Sequence, residues 1–552
     1  MYPSEPFPHF VDDVLTYLYE ALPARATLDG IHLHDDLLED LSRQGIDAHA
    51  RALAGFSRRL NQIDRESLSA GEQVDHRTVT AVLDGQIFDL ERVRSWERSP
   101  IWYAQTLGLG LAGPTFLAFA PDTERARRLL SRLRQVPRYT KACQDNLREP
   151  AGILVKLGLE AWRGIRTFLE RDLPRAFSRV DDLHLLGDLA DASQEAVDAI
   201  SACVEYLEKD AAPKAKASFR LGADVIEHQI RNVEGIGTGS ERAMELGLRW
   251  LSEAQEEFRA AAAQVGKGDP QEVWRGVKAR LQRERGPLDS VREPVEELAG
   301  FLNKQTLVTF SGAELPIVAP ASDFERWQQV TRWASGPFES RPPATRLALA
   351  GPDAAWSEER RLEHNLDLND ATRRLLLARE AYPGRLTLNA ALRQVESKVR
   401  KSTFFGSRTF ADGWSHYAEG ALLETGFRRG DAELRLSQIA EVLVGLARLV
   451  VAIRLHADDM SVEQGVRFFK DEAYLEDSTA RREAERGVFD PGYMCQALGR
   501  RLVLRIRHDY NEHHSITASP RVFHDALLAN GGLPIWAHRR LLLNDRDAVT
   551  LD

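Results

Sequence analysis

Cysteine is scarce in this chain of 552 residues, which contains only three. Cys143, Cys203 and Cys495 are widely separated and odd in number, so they form no recognisable disulfide framework. Disulfide-held proteins are concentrated in oxidising compartments. The scarcity excludes a disulfide scaffold and favours a cytoplasmic protein.

The sequence also lacks long apolar runs and a basic segment followed by an apolar one at its start. The first ten residues read Met-Tyr-Pro-Ser-Glu-Pro-Phe-Pro-His-Phe. Nowhere do about eighteen apolar residues follow one another without interruption, which is the length that a membrane-spanning helix needs. We therefore expect neither secretion nor insertion into a membrane.

An excess of positive charge is absent as well. Lys and Arg number 73 against 83 Asp and Glu, which gives a formal net charge of −10. Binding to nucleic acid depends on a cationic surface, so this balance argues against nucleic acid as the main partner. Apolar residues make up 43% of the chain and charged residues 28%, as in an ordinary globular protein with enough material for a core.

Helical periodicity dominates what is present. Apolar residues recur at helical spacing in several long segments, at 8–22, 122–147, 153–177, 187–209, 241–264 and 431–457. Residues 305–320 are rich in β-branched side chains and interrupted by proline, which makes them the strong strand candidate, and 345–350 are a second extended piece. The pattern predicts a mainly α fold with a small β-sheet.

A helix is interrupted at residues 378–388, which read Ala-Arg-Glu-Ala-Tyr-Pro-Gly-Arg-Leu-Thr-Leu. Pro383 lacks an amide donor and Gly384 tolerates a reversed backbone, so the helix that leads into this stretch should end here. The break places Glu380 in the last turn of that helix.

A second unusual stretch, residues 412–420, reads Asp-Gly-Trp-Ser-His-Tyr-Ala-Glu-Gly. At about 3.6 residues per turn, Asp412, His416 and Glu419 share one helical face. If this helix faces the one that carries Glu380, acids and an imidazole meet as they do where zinc peptidases hold a metal.

Together the two stretches resemble the bacterial family of domain of unknown function 885, which is distantly similar to thimet-oligopeptidase-like and carboxypeptidase-like zinc peptidases. In that family the first stretch reads His-Glu-Ala-x-Pro-Gly-His-His and the second reads Glu-Gly-Trp-Ala-x-Tyr-Ala-Glu. The residues that match are Glu380, Ala381, Pro383, Gly384, Gly413, Trp414, Tyr417, Ala418 and Glu419.

The resemblance covers roughly residues 15–545 and implies a large bilobed, zincin-like helical bundle around a deep cleft. It implies one domain over 1–552, with sub-lobes near 1–300 and 301–552. In zinc peptidases of this kind, a small sheet lies beside the metal helix and its edge strand pairs with the peptide substrate. The strand candidates therefore imply recognition of an extended ligand through its backbone.

The metal-binding positions depart from the family pattern. Arg379 stands where the first histidine belongs, Arg385 and Leu386 replace the histidine pair, and Asp412 replaces a glutamate. A guanidinium stays protonated and has no lone pair to donate to a metal. We therefore expect no metal and no cofactor at this site.

The residues at this site suggest metal-independent chemistry instead. Asp412 and His416 are one helical turn apart, so the carboxylate could orient the imidazole, with Glu380 and His416 then moving a proton. Arg379 and Arg385 could grip a carboxylate or phosphate through paired hydrogen bonds. The leading hypothesis is an acid-base enzyme that acts on a small anionic substrate, peptide-like or derived from an amino acid.

Three further residues complete the predicted substrate site: Tyr382, Glu419 and Tyr493. The turn 490–493 resembles a family turn in which a nearby tyrosine polarises the scissile carbonyl.

Three alternatives to this hypothesis remain. The arginines could form an internal salt-bridge plug with the acids, Glu380 among them. The protein could be an inactive pseudo-peptidase that binds a peptide or a partner protein. It could also be a hydrolase with a relocated metal held by Asp412, His416, Glu419 and His456.

Overall fold

Helices make up most of the chain in a computed structural model, which confirms the predicted mainly α fold. The structure describes residues 5–281, 289–305, 307–309, 315–353, 355–514, 519–545 and 548–552. The first fifteen helices precede the sheet: α1 Phe7–Ala21, α2 Pro23–Asp29, α3 Arg43–Leu60, α4 Ala70–Phe88, α5 Ser95–Arg98, α6 Pro100–Phe116, α7 Asp122–Leu133, α8 Val136–Asn146, α9 Gly152–Thr167, α10 Leu173–Ala176, α11 Leu183–Tyr206, α12 Ala223–His228, α13 Ser240–Val265, α14 Pro270–Leu281 and α15 Asp289–Leu302.

The remaining helices follow the sheet: α16 Glu358–Asp367, α17 Asp370–Glu380, α18 Arg385–Leu392, α19 Lys398–Lys401, α20 Arg408–Glu424, α21 Ala432–Ala457, α22 Val462–Ala473, α23 Asp477–Phe489, α24 Cys495–His513, α25 Pro520–Ala529 and α26 Ile535–Leu543. The helix break predicted at Pro383 is present, because α17 ends at Glu380 and α18 begins at Arg385. The segment predicted as one helix over 122–147 is two, and Pro137 lies in the first turn of the second, where its missing amide costs no hydrogen bond.

Within the described ranges, α21 is the one helix that is long and apolar enough to cross a membrane. Its most apolar window has a mean hydropathy of 1.9, and 89% of that window is buried inside the protein. The helix packs against α13, α17 and α22. These contacts place α21 at the centre of the largest hydrophobic core.

Three short strands form one sheet in the order β1-β3-β2, with β1 Ile317–Pro320, β2 Val330–Trp333 and β3 Arg346–Leu349. β3 is parallel to β1 and antiparallel to β2. The predicted extended pieces contain β1 and β3, although 306 and 310–314 lie outside the described residues. β2 was not predicted from the sequence.

The apolar side chains form one large core and smaller ones. The largest combines Trp250 and Phe258 of α13 with Leu375 of α17, Trp414 of α20 and Leu449 of α21, so it joins helices from both sides of residue 300. A second core lies among α6, α7, α8, α9 and α11, and a third joins α1, α3 and α4. The division into sub-lobes at residue 300 stays a prediction.

The segment between β2 and β3 is held against the loop after α2 by a histidine. The two ring nitrogens of His32 lie 2.7 Å from Asp35 Oδ2 and 2.7 Å from Glu339 Oε2. The ring also stacks on Phe119 at 3.9 Å between centroids. Burial alone would lower the pKa of His32, but the hydrogen bonds and charges of the two acids outweigh it and raise the pKa.

We expect Glu339→Gln to destabilise the protein mainly at acidic pH. The folded pKa of His32 is raised, so the stability from its protonated form is complete below the unfolded value of about 6.5 and is lost as pH rises through the folded pKa. The loss should be about 1 kcal/mol near pH 6, where a charge-assisted bond is broken, and smaller near pH 9. Urea unfolding at both pH values measures it, and equal losses would contradict the assignment.

Candidate functional site

A cavity of about 590 Å³ lies between β2 and the helices α17, α20 and α23. Five of the predicted site residues line it: Arg379, Glu380, Arg385, Asp412 and His416. The structure therefore brings together the two stretches that the sequence singled out. Other charged and polar side chains on the wall were not predicted as site residues, and they include Arg332, Arg408, Arg448, Arg486, Asp490 and Gln496.

Close backbone packing fixes the two helices that carry these residues. A Cβ at Gly384 would come 1.9 Å from the carbonyl oxygen of Arg379, so the turn between α17 and α18 accepts only glycine there. A Cβ at Gly413 would come 2.4 Å from the carbonyl carbon of Gly499, so α20 and α24 touch through their backbones. These contacts set where Glu380 and Asp412 face the cavity.

Arg379 is occupied by carboxylates of the protein itself. Its Nε donates to Glu419 of α20, and its Nη2 lies 2.8 Å from Glu441 Oε2 of α21. The side chains of Arg379 and Glu419 are 4% and 2% exposed, so this is a buried ion pair. Burial raises the pKa of Glu419 even though Arg379 acts in the opposite direction.

Asp412 is also paired within the protein. One of its oxygens accepts from Arg385, and the other lies 3.2 Å from Arg408 Nε. Arg408 in turn donates from Nη2 to Asp490 at 3.0 Å, and Arg486 donates to the same carboxylate at 3.0 Å. The five side chains form a continuous line of alternating charge. Burial lowers the pKa of Arg385 to about 10, so it remains protonated at neutral pH.

Glu380 forms an ion pair with Arg332 of β2. One alternative predicted from the sequence paired Glu380 with Arg379 or Arg385, and the observed partner comes instead from β2, which was not predicted. The Glu380 side chain is 29% exposed, so the carboxylate remains on the cavity wall.

His416 lies on the cavity wall without the predicted link to Asp412. Within the described residues, no hydrogen bond joins the two side chains, because Arg385 and Arg408 occupy both oxygens of Asp412. Burial lowers the pKa of His416 well below its ordinary value, and nearby arginines, Arg379 first among them, add to the effect. The imidazole is therefore neutral at neutral pH.

Tyr382, Glu419 and Tyr493 lie behind the wall, with whole-residue exposures of 3%, 1% and 0%. None of them is on the lining of the cavity as the structure presents it. The hydroxyl of Tyr493 is buried and has no hydrogen-bond partner in the described part of the chain. These residues support the wall instead of forming its surface.

The residues do not fit the zinc that the family resemblance implies. Arg379 and Arg385 cannot ligate a metal. Across the residues that the structure describes, no three His, Cys, Asp or Glu side chains are grouped to hold a metal ion. His456, part of the alternative metal set, lies in the core, with Nε2 2.8 Å from the carbonyl oxygen of Gly487 and Nδ1 accepting from the amide of Leu221.

Each of the six arginines on the wall faces a carboxylate. The pairs are Arg332 with Glu380, Arg379 with Glu419 and Glu441, Arg385 with Asp412, Arg408 with Asp412 and Asp490, Arg448 with Glu483, and Arg486 with Asp490. Six guanidiniums therefore meet six carboxylates, and the network has no net charge. An internal salt-bridge plug was one alternative predicted from the sequence, and the network includes ion pairs of that kind between α17 and α20 and between α18 and α20.

Two solved structures have the same fold. A candidate lipoprotein of unknown function from Shewanella oneidensis is 22% identical, with a TM-score of 0.76 over 98% of this chain and 100% of that chain. A candidate lipoprotein from Colwellia psychrerythraea is 14% identical, with a TM-score of 0.81 over 98% of each chain. Comparison with curated proteins gives no match.

The sequence match identifies the family. Residues 23–540 match the family described as "Bacterial protein of unknown function (DUF885)", and the chain belongs to it. The family resemblance predicted from the two motif stretches is confirmed as far as family membership.

We expect Arg379→Met to destabilise the protein strongly. It leaves the buried carboxylate of Glu419 and the partly buried carboxylate of Glu441 without their shared cation, and removing one partner of a buried ion pair costs about 3–5 kcal/mol. The free energy of unfolding in urea measures the loss. Adding Glu419→Gln and Glu441→Gln should restore most of it, because no uncompensated charge then remains.

The matched control for that experiment is Arg92→Met. Arg92 pairs with Asp224 at 2.7 Å, but both side chains are more than half exposed, so its loss should change stability little. Equal effects of the two arginine variants would contradict a central role for the buried pair.

Proposed function

We propose that this protein binds an extended peptide-like ligand in the cavity, along the free edge of β2, without zinc-dependent hydrolysis. The observation that carries the proposal is the position of this edge strand. Residues 328–333 all line the cavity, and β2 is paired only on its β3 side among the described residues. An exposed strand edge can pair with the backbone of a ligand.

The register of the sheet shows which backbone groups are free. The amide of Ala350 donates to the carbonyl of Gln329 at 2.9 Å, so these opposed residues form a hydrogen-bonded pair. Pairs alternate along an antiparallel ladder, so Thr331 also points its backbone groups at β3. The amides and carbonyls of Val330 and Arg332 point the other way and are available to a ligand.

The charge network supports binding more than it supports hydrolysis. A metal lowers the pKa of bound water from about 15.7 towards 7, which is how zinc peptidases make their nucleophile. Arg379 and Arg385 give this site no such route, and Glu380 faces Arg332 instead of a metal-bound water. Because the wall arginines already face acids of the protein, they are not free to bind a charged ligand. Backbone pairing and shape are then the main means of recognition.

We expect Val330→Pro to weaken peptide binding about tenfold without unfolding the protein, because it removes one outward-facing donor and no ladder bond. Equilibrium dialysis against a tryptic digest, with mass spectrometry of the retained peptides, measures the affinity. Val330→Ala keeps the amide and serves as the control. Unchanged retention by the proline variant would contradict pairing at this edge.

A metal-independent acid-base enzyme, acting on a small anionic peptide-like substrate, is the second candidate. Two observations favour it: Glu380 reaches the cavity surface, and the neutral imidazole of His416 also faces it. Both groups could accept a proton from a substrate.

The second candidate predicts turnover that survives a zinc chelator and falls by a factor of about 100 or more in Glu380→Gln. Mass spectrometry of peptides before and after incubation measures it, with retention of peptide by the variant as the test of an intact fold. If the wild-type protein returns every retained peptide unchanged, the binding function stands and this candidate is wrong.

A cytoplasmic location belongs to the same proposal. Its support is the state of the three cysteines, which are buried and free of disulfides. The description 'lipoprotein' belongs to the two solved structures from Shewanella oneidensis and Colwellia psychrerythraea and is not carried over to this chain. Fractionation of cells tests the location, and recovery in the membrane fraction would contradict it.

A further inference from the structure

A second chamber of about 900 Å³ adjoins the cavity beside β2. The two spaces share the side chains of Phe324, Trp327, Arg486 and Phe489 as a common wall. The second chamber lies between α9, α16 and α23. A ligand longer than the first cavity would meet this chamber next.

Most basic side chains on the wall of the second chamber already face an acid. Lys156 lies 2.7 Å from Glu485, Arg326 2.7 Å from Asp323, Arg481 2.6 Å from Glu463 and Arg486 3.0 Å from Asp490, and Arg163 pairs with Glu208.

Arg482 is different. Within the described residues it has no ion-pair partner, and its Nε and Nη2 atoms are covered from solvent and have no acceptor. Burial lowers its pKa, although the charges of Glu483 and Asp367 act in the opposite direction.

Other unpartnered polar groups share this chamber with Arg482. His364 is 4% exposed, and its Nε2 has no partner among the described residues; the hydroxyl of Ser478 is likewise covered and unpaired. The guanidinium of Arg360 lies over the ring of Trp356 at 4.2 Å and faces no acid at ion-pair distance in the described part of the chain. Burial and the charge of Arg482 lower the pKa of His364 to about 4, so its imidazole is neutral.

The acids on the chamber wall do not neutralise Arg482. Asp323 and Asp353 face Arg326, and Asp477 lies 2.8 Å from Lys470. Glu363 accepts the backbone amide of Ser478 at 3.0 Å. Glu483 faces Arg448 at 2.7 Å and Asp367 faces Lys278 at 3.0 Å, so neither of these acids pairs with Arg482. The guanidinium of Arg482 therefore has no carboxylate at ion-pair distance among the described residues, which is costly for a partly buried charge unless an anion binds there.

We propose that the second chamber is a carboxylate subsite centred on Arg482, and that it selects peptide-like ligands that carry an acidic group. The ligand carboxylate accepts from the guanidinium of Arg482 and the hydroxyl of Ser478, and an adjacent amide of the ligand donates to Nε2 of His364. The carboxylate comes from a peptide C-terminus or from an acidic side chain. The peptide part of this inference rests on the proposed function, whereas anion binding rests on the chamber alone.

Three acetylated peptides test the subsite by calorimetry with the full-length protein: penta-alanine amide, penta-alanine with a free C-terminal carboxylate, and the amide with glutamate at its centre. At least one charged peptide should bind about tenfold more tightly than the neutral one, as expected for a charge-assisted hydrogen bond. Whichever charged peptide gains affinity identifies the source of the carboxylate.

Arg482→Met should remove this difference and leave the affinity for the neutral peptide unchanged. Without ligand, the variant should keep or raise Tm, because it removes an uncompensated buried charge. Arg481→Met is the matched control: its side chain lines the same chamber but pairs with Glu463, so the difference should persist.

The outcomes separate the two proposals. Equal binding of all three peptides, or a preference that survives Arg482→Met, would overturn the subsite while the proposed function stands. If no peptide binds, the proposed function is wrong. The subsite is then tested by the effect of glutarate on Tm. A rise in Tm with glutarate for the wild type and none for Arg482→Met supports the subsite, and no rise in either overturns it.

Discussion

One buried arginine shared by two carboxylates joins the helices at the centre of the structure. Arg379 of α17 binds Glu419 of α20 and lies 2.8 Å from Glu441 of α21, so a single cation joins three helices. Charges that leave water lose much of their hydration, and such a cluster persists only when each group keeps a close partner. In zinc peptidases a metal ion joins acids and histidines on different helices in the same way. Here the guanidinium of Arg379 provides the permanent positive charge that joins α17, α20 and α21.

This arrangement sets the chemistry of the cavity. The line that runs from Arg385 through Asp412, Arg408 and Asp490 to Arg486 alternates in sign, so the wall is polar but close to neutral. A neutral wall exerts little long-range attraction on a charged ligand. Selectivity in the first cavity must then come from short-range contacts, and the backbone edge of β2 offers them in a fixed geometry.

The helices and the family could be predicted from the sequence, whereas the pairing of the charges could not. Apolar periodicity located α1, α13 and α21 to within a residue or two, and the chemistry of Pro383 located the break after α17. Such signals are local, because the apolar residues that a helix buries recur at regular spacing within the helix itself. The motif resemblance added that α17 and α20 meet, which no local pattern contains.

The residues missed by sequence reasoning act through pairings that their positions in the chain do not specify. Arg332 reaches Glu380 across 48 positions from β2, the strand that was not predicted. Asp412 and His416 have the spacing of a helical pair, yet Arg408, one turn earlier on the same helix, and Arg385 compete for the carboxylate and win because their charge is permanent. Spacing predicts which side chains are within reach of one another, but not which partner a carboxylate takes.

The two chambers differ in a way that bears on what the cleft recognises. In the first, every wall arginine faces an acid, whereas in the second Arg482 is partly buried and has no carboxylate at ion-pair distance among the described residues. Folding alone gives no reason for that difference, because an apolar side chain of similar volume at this position would avoid the cost of burying a charge. A residue that lowers stability in the free protein is typical of a place where a bound group compensates. The uncompensated guanidinium therefore points to recognition of a ligand carboxylate in the second chamber, next to the backbone edge that would hold the rest of the ligand.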